Sequence, residues 1–177
     1  MLDAIRNRRS IRFYTDEVVS DGDVVEVLKA GFCAPSGHNR AAWHAVVIRD
    51  RKSKNALSTI HEWSKVVAGA PVVIAVCVER GGFDHFWIED GAAFVENMLI
   101  QATEMGLGTC WIGIRGLSVE GSDIDAESYV RGVLGLPDHL GVEALVLLGH
   151  PKRVPDYREP AIPEGRVHYE SFGGSQA

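Results

Sequence analysis

Cysteine is scarce. The 177 residues hold three, Cys33, Cys77 and Cys110, isolated from one another. An odd, scattered set argues against a disulfide framework. With no Cys-x-x-Cys pair, the common structural-zinc and dithiol signatures are missing too, and a reducing cytoplasm is the expected location. Long apolar runs are also lacking. The longest, Ala70 to Val78, is too short to span a bilayer, and no apolar stretch follows Met1, so neither a membrane segment nor a signal peptide is expected. Basic charge is not in excess: the net charge of −6 is the opposite of what a general nucleic-acid binder carries. There is no Walker A sequence. The pair Gly106-Leu-Gly108 has Trp111 where a dinucleotide fingerprint needs its third glycine, and it follows a helix where a strand is required. Rossmann and P-loop readings are therefore rejected.

What is present has the balance of one ordinary globular domain, with 46% apolar and 24% charged residues. Residues 2–8 read as a short helix, and Asp21 to Phe32 as a second, with Val24, Val25, Leu28 and Phe32 at helical spacing. Ala34-Pro-Ser-Gly-His-Asn39 then interrupts the pattern. Trp43 to Ile48, Pro71 to Val78, Thr109 to Ile114 and Val142 to Leu148 are apolar and β-branched, which predicts four buried strands. Helices are predicted between them, over Arg51 to Val67, Trp87 to Met105 and Ser122 to Leu134. The longest of these is apolar nearly all round, as expected of a helix covered on every side, and a second subunit would supply the missing cover. Strands separated by helices predict a helix-flanked sheet. The last 28 residues contain four prolines and no periodicity, yet also Tyr157, Val167, Tyr169 and Phe172. Such a segment fits an arm that wraps a partner.

Candidate chemistry begins at Arg8-Arg9-Ser10-Ile11-Arg12. The first fourteen residues carry four arginines and one acid on an otherwise acidic chain. Arginine suits planar, bidentate phosphate contacts and Ser10 adds a hydroxyl donor, although a basic run taken alone is usually a solvated face. His85 and Glu89 stand four apart, a spacing that can place two ligands on one face, but a lone pair of this kind is usually a surface contact and no metal is assigned. Cys110 lies in an apolar strand and reads as a core residue. Asp90 could orient a histidine, but no nucleophile–base pair can be assembled from the spacing.

Four blocks, in order, resemble the nitroreductase family of FMN-dependent oxidoreductases, especially its short members. They are Arg8-Arg-Ser-Ile-Arg12; Ala34-Pro-Ser-Gly-His-Asn39 ending at Trp43; Glu89-Asp-Gly-Ala-Ala through Gly106-Leu-Gly-Thr-Cys-Trp-Ile-Gly113; and Val142 to Pro151 followed by Arg158-Glu-Pro. The resemblance spans nearly the whole chain. It implies an α+β fold with a helix-flanked mixed β-sheet, a single FMN-binding domain over 1–177, and a homodimer in which an extension from about residue 150 to 177 wraps the partner. By the same resemblance, Arg8, Arg9, Ser10 and Arg12 would hold the flavin phosphate, ribityl chain and pyrimidine edge, with Arg12 near N1. Pro35, Ser36 and Asn39 would reach the flavin from the partner chain. Gly113 would offer its backbone N–H near N5 with Ile112 alongside, and Arg158 would be a second phosphate ligand.

The implied activity is transfer of electrons from NADH or NADPH to a flat acceptor such as a nitroaromatic or quinone, by a ping-pong cycle and without a metal. Dehalogenation, ring dehydrogenation, flavin fragmentation and flavin binding without turnover are the alternatives on the same fold. The chain departs from the family pattern at Ala41-Ala42, where Gln-Pro is usual, and at Asp156-Tyr157, where a basic residue is common. The second departure shifts phosphate binding toward the N-terminal arginines, or to Lys152 or Arg153. Phe83 to Trp87 is a candidate cover for the substrate.

Overall fold

A computed structural model of the chain describes residues 1–81, 85–157 and 159–174. Five helices and four strands alternate in it: α1 (Asp3–Asn7), α2 (Asp21–Phe32), β1 (Trp43–Ile48), α3 (Arg51–Leu57), β2 (Val72–Glu79), α4 (Trp87–Glu104), β3 (Gly108–Gly113), α5 (Ala126–Leu134) and β4 (Leu140–Gly149). Helix starts follow from local chemistry. Ser20 Oγ accepts the Asp23 N–H at 3.0 Å while the Asp23 carboxylate accepts the Ser20 N–H at 3.2 Å, a reciprocal cap on α2. Asp50 and Asp125 cap α3 and α5 by accepting the N–H of Ser53 and Ser128, each at 2.8 Å. Gly106, at φ +76°, ends α4 in the left-handed region, and the Leu107 N–H closes the turn on the Ala102 carbonyl at 2.8 Å.

The helix expected over Arg51 to Val67 is in fact two pieces: α3, then a 3₁₀ stretch over Glu62–Gly69. The hydroxyls of Ser58 and Thr59 turn back to the carbonyls of Asn55 and Ala56, at 2.7 and 2.8 Å, and His61 is extended at φ −157°. That competition from side chains stops the helix.

The strands form one sheet in the order β1-β2-β4-β3, every neighbouring pair antiparallel. The expectation of a mixed sheet is corrected here. β2, α4 and β3 make a crossover whose two strands point the same way, but β4 lies between them and runs against both. Parallel pairing among the described residues is confined to an isolated bridge, Ser10 to Thr109, on the outer edge of β3. The β2–β4 ladder is interrupted once. Val76 faces Ala144 and Cys77 faces Val142, so Glu143 is the extra residue of a bulge.

Helices cover both faces. On one, α2 and α4 pack Val27, Phe94 and Met98 against Ile74, Val76 and Val146. On the other, Leu57, Ile60, Val67 and Val130 meet Val73, Leu145 and Leu147. β4 is buried along its whole length, as a run apolar but for Glu143 requires. Around α4, Glu89, Glu96 and Glu104 are exposed, whereas Ile88, Ala92, Ala93 and Ile100 are half-buried within the chain. Among the described residues no helix is long and apolar enough to cross a membrane. Residues 152–157 and 159–174 form neither helix nor strand and leave Ile162 and Phe172 exposed.

Candidate functional site

The outer edge of β3 organises the site. Residues in a strand direct N–H and C=O alternately to one side and the other. The Thr109 carbonyl accepts the Ile11 N–H at 2.7 Å, away from β4. By the same alternation the N–H and C=O of Gly113 also face the open edge, four residues or about 13 Å along the strand. Gly108 lets the N-terminal arm approach, since a Cβ there would stand 2.8 Å from Ile11. The arm is then clamped by the start of the C-terminal segment: the Thr15 N–H donates to the His150 carbonyl at 2.9 Å and the Lys152 N–H to the Phe13 carbonyl at 3.0 Å.

Between arm and segment lies a cavity of about 490 Å³ lined by Ser10, Arg12, Phe13, Arg153, Pro155 and Asp156. Its size is that of a small-molecule site. Arg12 reaches back to the Ser10 carbonyl at 3.4 Å. Arg9 donates to the carbonyls of Arg6 and Arg8 at 2.8 and 2.7 Å and lies 5.6 Å over the Tyr157 ring, bordering a smaller adjoining cavity of about 140 Å³. Arg8 faces Glu96 of α4 at 3.9 Å. Of the expected arginines, Arg12 therefore lines the main cavity, with Arg153 joining it. Arg158 lies outside the described residues, as does Phe83.

A second recess, of about 370 Å³, lies at the start of α4 and is lined by Pro35, Ser36, Gly37, Phe86, Glu89 and Asp90. The loop that shapes it is conformationally costly. His38, Asn39 and Ala41 have φ of 54°, 55° and 51°, a region that costs L-residues about 1–2 kcal/mol each. Asp90 holds the loop: its carboxylate accepts the Gly37 N–H at 2.8 Å and its carbonyl accepts the Trp43 indole N–H at 2.8 Å. The Ser36 hydroxyl accepts the Ala41 N–H at 2.9 Å. Asp90 thus anchors a loop and orients no histidine. Asn39 is exposed beside this recess. Within one chain the two recesses share no lining residue.

Ile112 buries its side chain in the α3/α5 core, and Cys110 is buried likewise. Burial pushes both inner thiols up, Cys77 to about 12, so they stay protonated near neutral pH. Burial also raises the Tyr14 hydroxyl, which donates to the Ile11 carbonyl at 2.6 Å and steadies the arm. At the far end of β3 the Gly113 carbonyl is met by His61 Nε2 at 3.0 Å.

The profile described as the nitroreductase family matches residues 5–64 and 57–150. The chain belongs to the nitroreductase family. A provisionally named NADH dehydrogenase/NAD(P)H nitroreductase of Archaeoglobus fulgidus is 32% identical over 97% of this chain and 98% of its own length. The FMN-dependent nitroreductase of Clostridium difficile R20291 superposes with a TM-score of 0.89 at 28% identity, covering 97% of this chain and all of the other. A provisionally named nitroreductase of Desulfovibrio desulfuricans, solved in complex with FMN, is 32% identical with a TM-score of 0.77 over 96% and 95% of the two chains.

Within this nitroreductase the long-range contacts that build the site carry no signal readable in the sequence alone. Asp90 and Gly37 are 53 positions apart, and His61 and Gly113 are 52 apart. Arg153 stands in a segment without periodicity. The basic residue missing at 156–157 was the one hint toward it.

Proposed function

We propose that this nitroreductase is an FMN-dependent oxidoreductase that takes electrons from NADH or NADPH and passes them to a flat electrophile, such as a nitroaromatic or quinone, by a ping-pong mechanism. It works as a cytoplasmic homodimer, each chain a single domain over 1–177 whose extension from about residue 150 wraps the partner. The open edge of β3 carries this reading: a cavity lined by Arg12 and Arg153 lies against the arm paired to that edge, and the Gly113 N–H faces the same edge farther along the strand.

The residues present fit the cofactor. A Cβ on Gly113 would meet nothing within 4 Å, and its φ is not in the left-handed region, so neither packing nor backbone geometry of the chain itself calls for glycine there. A flat ring laid along the edge makes use of that space. The phosphate brings about two negative charges, for which Ser10 and Arg153 offer a hydroxyl and a guanidinium group, while Arg12 on the same cavity is left for the pyrimidine edge. Arg8 and Arg9 add positive charge on the arm, and by the family resemblance Arg158 would be a second phosphate ligand. Pro35, Ser36 and Asn39 belong to the second recess, and a partner chain would bring that recess to the ring. Ile112 backs the ring from the strand.

When bound, FMN supplies the hydride-accepting and hydride-donating centre, and the chain supplies position, charge and exclusion of water. Arg12 places a cation at the pyrimidine edge, where reduction builds negative charge. Gly113 presents its N–H to the central ring. With FMN held there, donor and acceptor would use the same open face in turn, which is the ping-pong order proposed.

An absorption spectrum between 300 and 550 nm tests the reading, taken before and after heat release of the cofactor. Flavin bands that elute as FMN, with NAD(P)H oxidation faster than by free flavin when a quinone or nitroaromatic is added, are expected. Protein that stays colourless after incubation with excess FMN overturns the proposal.

A further inference from the structure

We infer that His61 is a positioning residue for the flavin: it holds the Gly113 carbonyl and so aims the Gly113 N–H at ring atom N5. The inference rests on the FMN reading above and deepens it at one atom.

Gly113 ends β3 and has no side chain to hold it. Pinning one residue's backbone costs about 1–2 kcal/mol of conformational entropy, and glycine loses the most freedom of any residue. Along the open edge Thr109 is already secured by Ile11. Gly113 is secured by the imidazole, 3.0 Å from its carbonyl. A carbonyl only accepts, so Nε2 carries the hydrogen.

The ring accepts a penalty for this contact. Its other nitrogen, Nδ1, is buried with no hydrogen-bond partner among the described residues, which typically costs about 1–3 kcal/mol.

The backbone behind the ring is fixed in turn. Ser64, fully buried, accepts the His61 N–H at 3.0 Å and donates its hydroxyl to the His61 carbonyl at 2.7 Å. The Ile60 carbonyl accepts the Glu120 N–H at 2.7 Å. Support of this kind, applied before a ligand arrives, removes an ordering cost from binding.

The chemistry sets a direction. Oxidised N5 accepts a hydrogen bond, whereas reduced N5 carries its own hydrogen and gains nothing from a donor. A well-aimed Gly113 N–H therefore favours the oxidised cofactor, and loosening it raises the reduction potential.

The test compares His61→Phe, which keeps a ring and loses the donor, with His61→Gln, whose amide nitrogen falls near Nε2. In the apo-protein, the ¹⁵N order parameter of Gly113 is expected to drop from the rigid range near 0.85 to below about 0.6 in His61→Phe and to recover in His61→Gln. In the FMN-loaded protein, the midpoint potential of His61→Phe should rise by about 30 mV, a tenfold bias for a two-electron couple, matched by about tenfold weaker binding of oxidised FMN and a smaller change for reduced FMN. His61→Asn, whose amide reaches only the position of Nδ1, carries the same expectation should the Phe variant not fold. An unchanged order parameter and potential in the donor-less variant overturn the role of His61 alone. Wild-type protein that binds no FMN overturns the functional reading and this inference with it.

Discussion

Gly91 of α4 lies directly against Glu143, the extra residue of the β4 bulge. A Cβ on Gly91 would stand 2.9 Å from both Cβ and Cγ of Glu143 and 3.2 Å from Val78 Cγ2. The colliding atoms sit close to the backbone, so they cannot swing away. Gly91→Ala gains up to about 1 kcal/mol of helix propensity but incurs overpacking of about 1–3 kcal/mol. A net loss of roughly 1–2 kcal/mol is expected in urea denaturation. A variant as stable as wild type would show that α4 can slide off the bulge.

Glu143 supplies a pH signature. Burial pushes its carboxyl above the ordinary value, with Glu127 and Glu89 adding to the rise and Arg115 opposing it, and one carboxylate oxygen has no partner. A raised carboxyl means that the folded chain binds more protons than the unfolded one between the two values. Stability is then full at acid pH and falls as pH climbs through that window. Glu143→Gln removes the titration, so its stability relative to wild type should grow between pH 4.5 and pH 8. A difference that stays flat over that range would mean the carboxyl titrates alike in both states.

Glu127 should be sensitive to truncation. It is buried at the start of α5, pairs with Arg80, and accepts the Val142 N–H at 3.1 Å. Arg80 also lies 4.4 Å over the Trp87 ring. Glu127→Ala leaves a guanidinium and a buried N–H without their acceptor. The expected cost is about 3 kcal/mol, the low end for a broken buried pair, because Arg80 remains one-third exposed. A loss below about 1 kcal/mol in chemical denaturation would count against the pair as a structural element.

The two arginines of the main cavity should separate by ligand. Arg153→Ala is expected to weaken FMN about tenfold or more, the worth of a charged hydrogen bond of about 1.5–3 kcal/mol, and to leave riboflavin binding unchanged. Arg12→Ala should weaken both ligands and lower the reduction potential of the bound flavin. Titrations of apo-protein by flavin-fluorescence quenching decide it. Equal losses for riboflavin and FMN in Arg153→Ala would move Arg153 away from the phosphate.

Local signals account for what was legible in advance. α2 and β1 occupy the residues expected of them because Val24, Val25, Leu28 and Phe32 fall at helical spacing ahead of Pro35, and a mostly apolar, β-branched run marks the strand. The arginine block and the Pro35–Ser36 loop were visible as motifs. Contacts between distant residues were not. The break after Leu57 depends on two hydroxyls choosing carbonyls over solvent. The placing of β4 between β2 and β3 depends on which edges α4 leaves free. Asp90 looked like an orienter of histidine until Gly37 claimed its carboxylate.

That order of strands has a consequence for biosynthesis. β2 and β3 have no common neighbour until Leu140–Gly149 has left the ribosome, and both apolar layers draw side chains from that strand. A nascent chain that stops short of it has a gap in the middle of its sheet, with two unpaired edges facing each other across the space of one strand. The sheet therefore closes only once that strand has emerged, and a chain stopped before it exposes two edges open to misassembly.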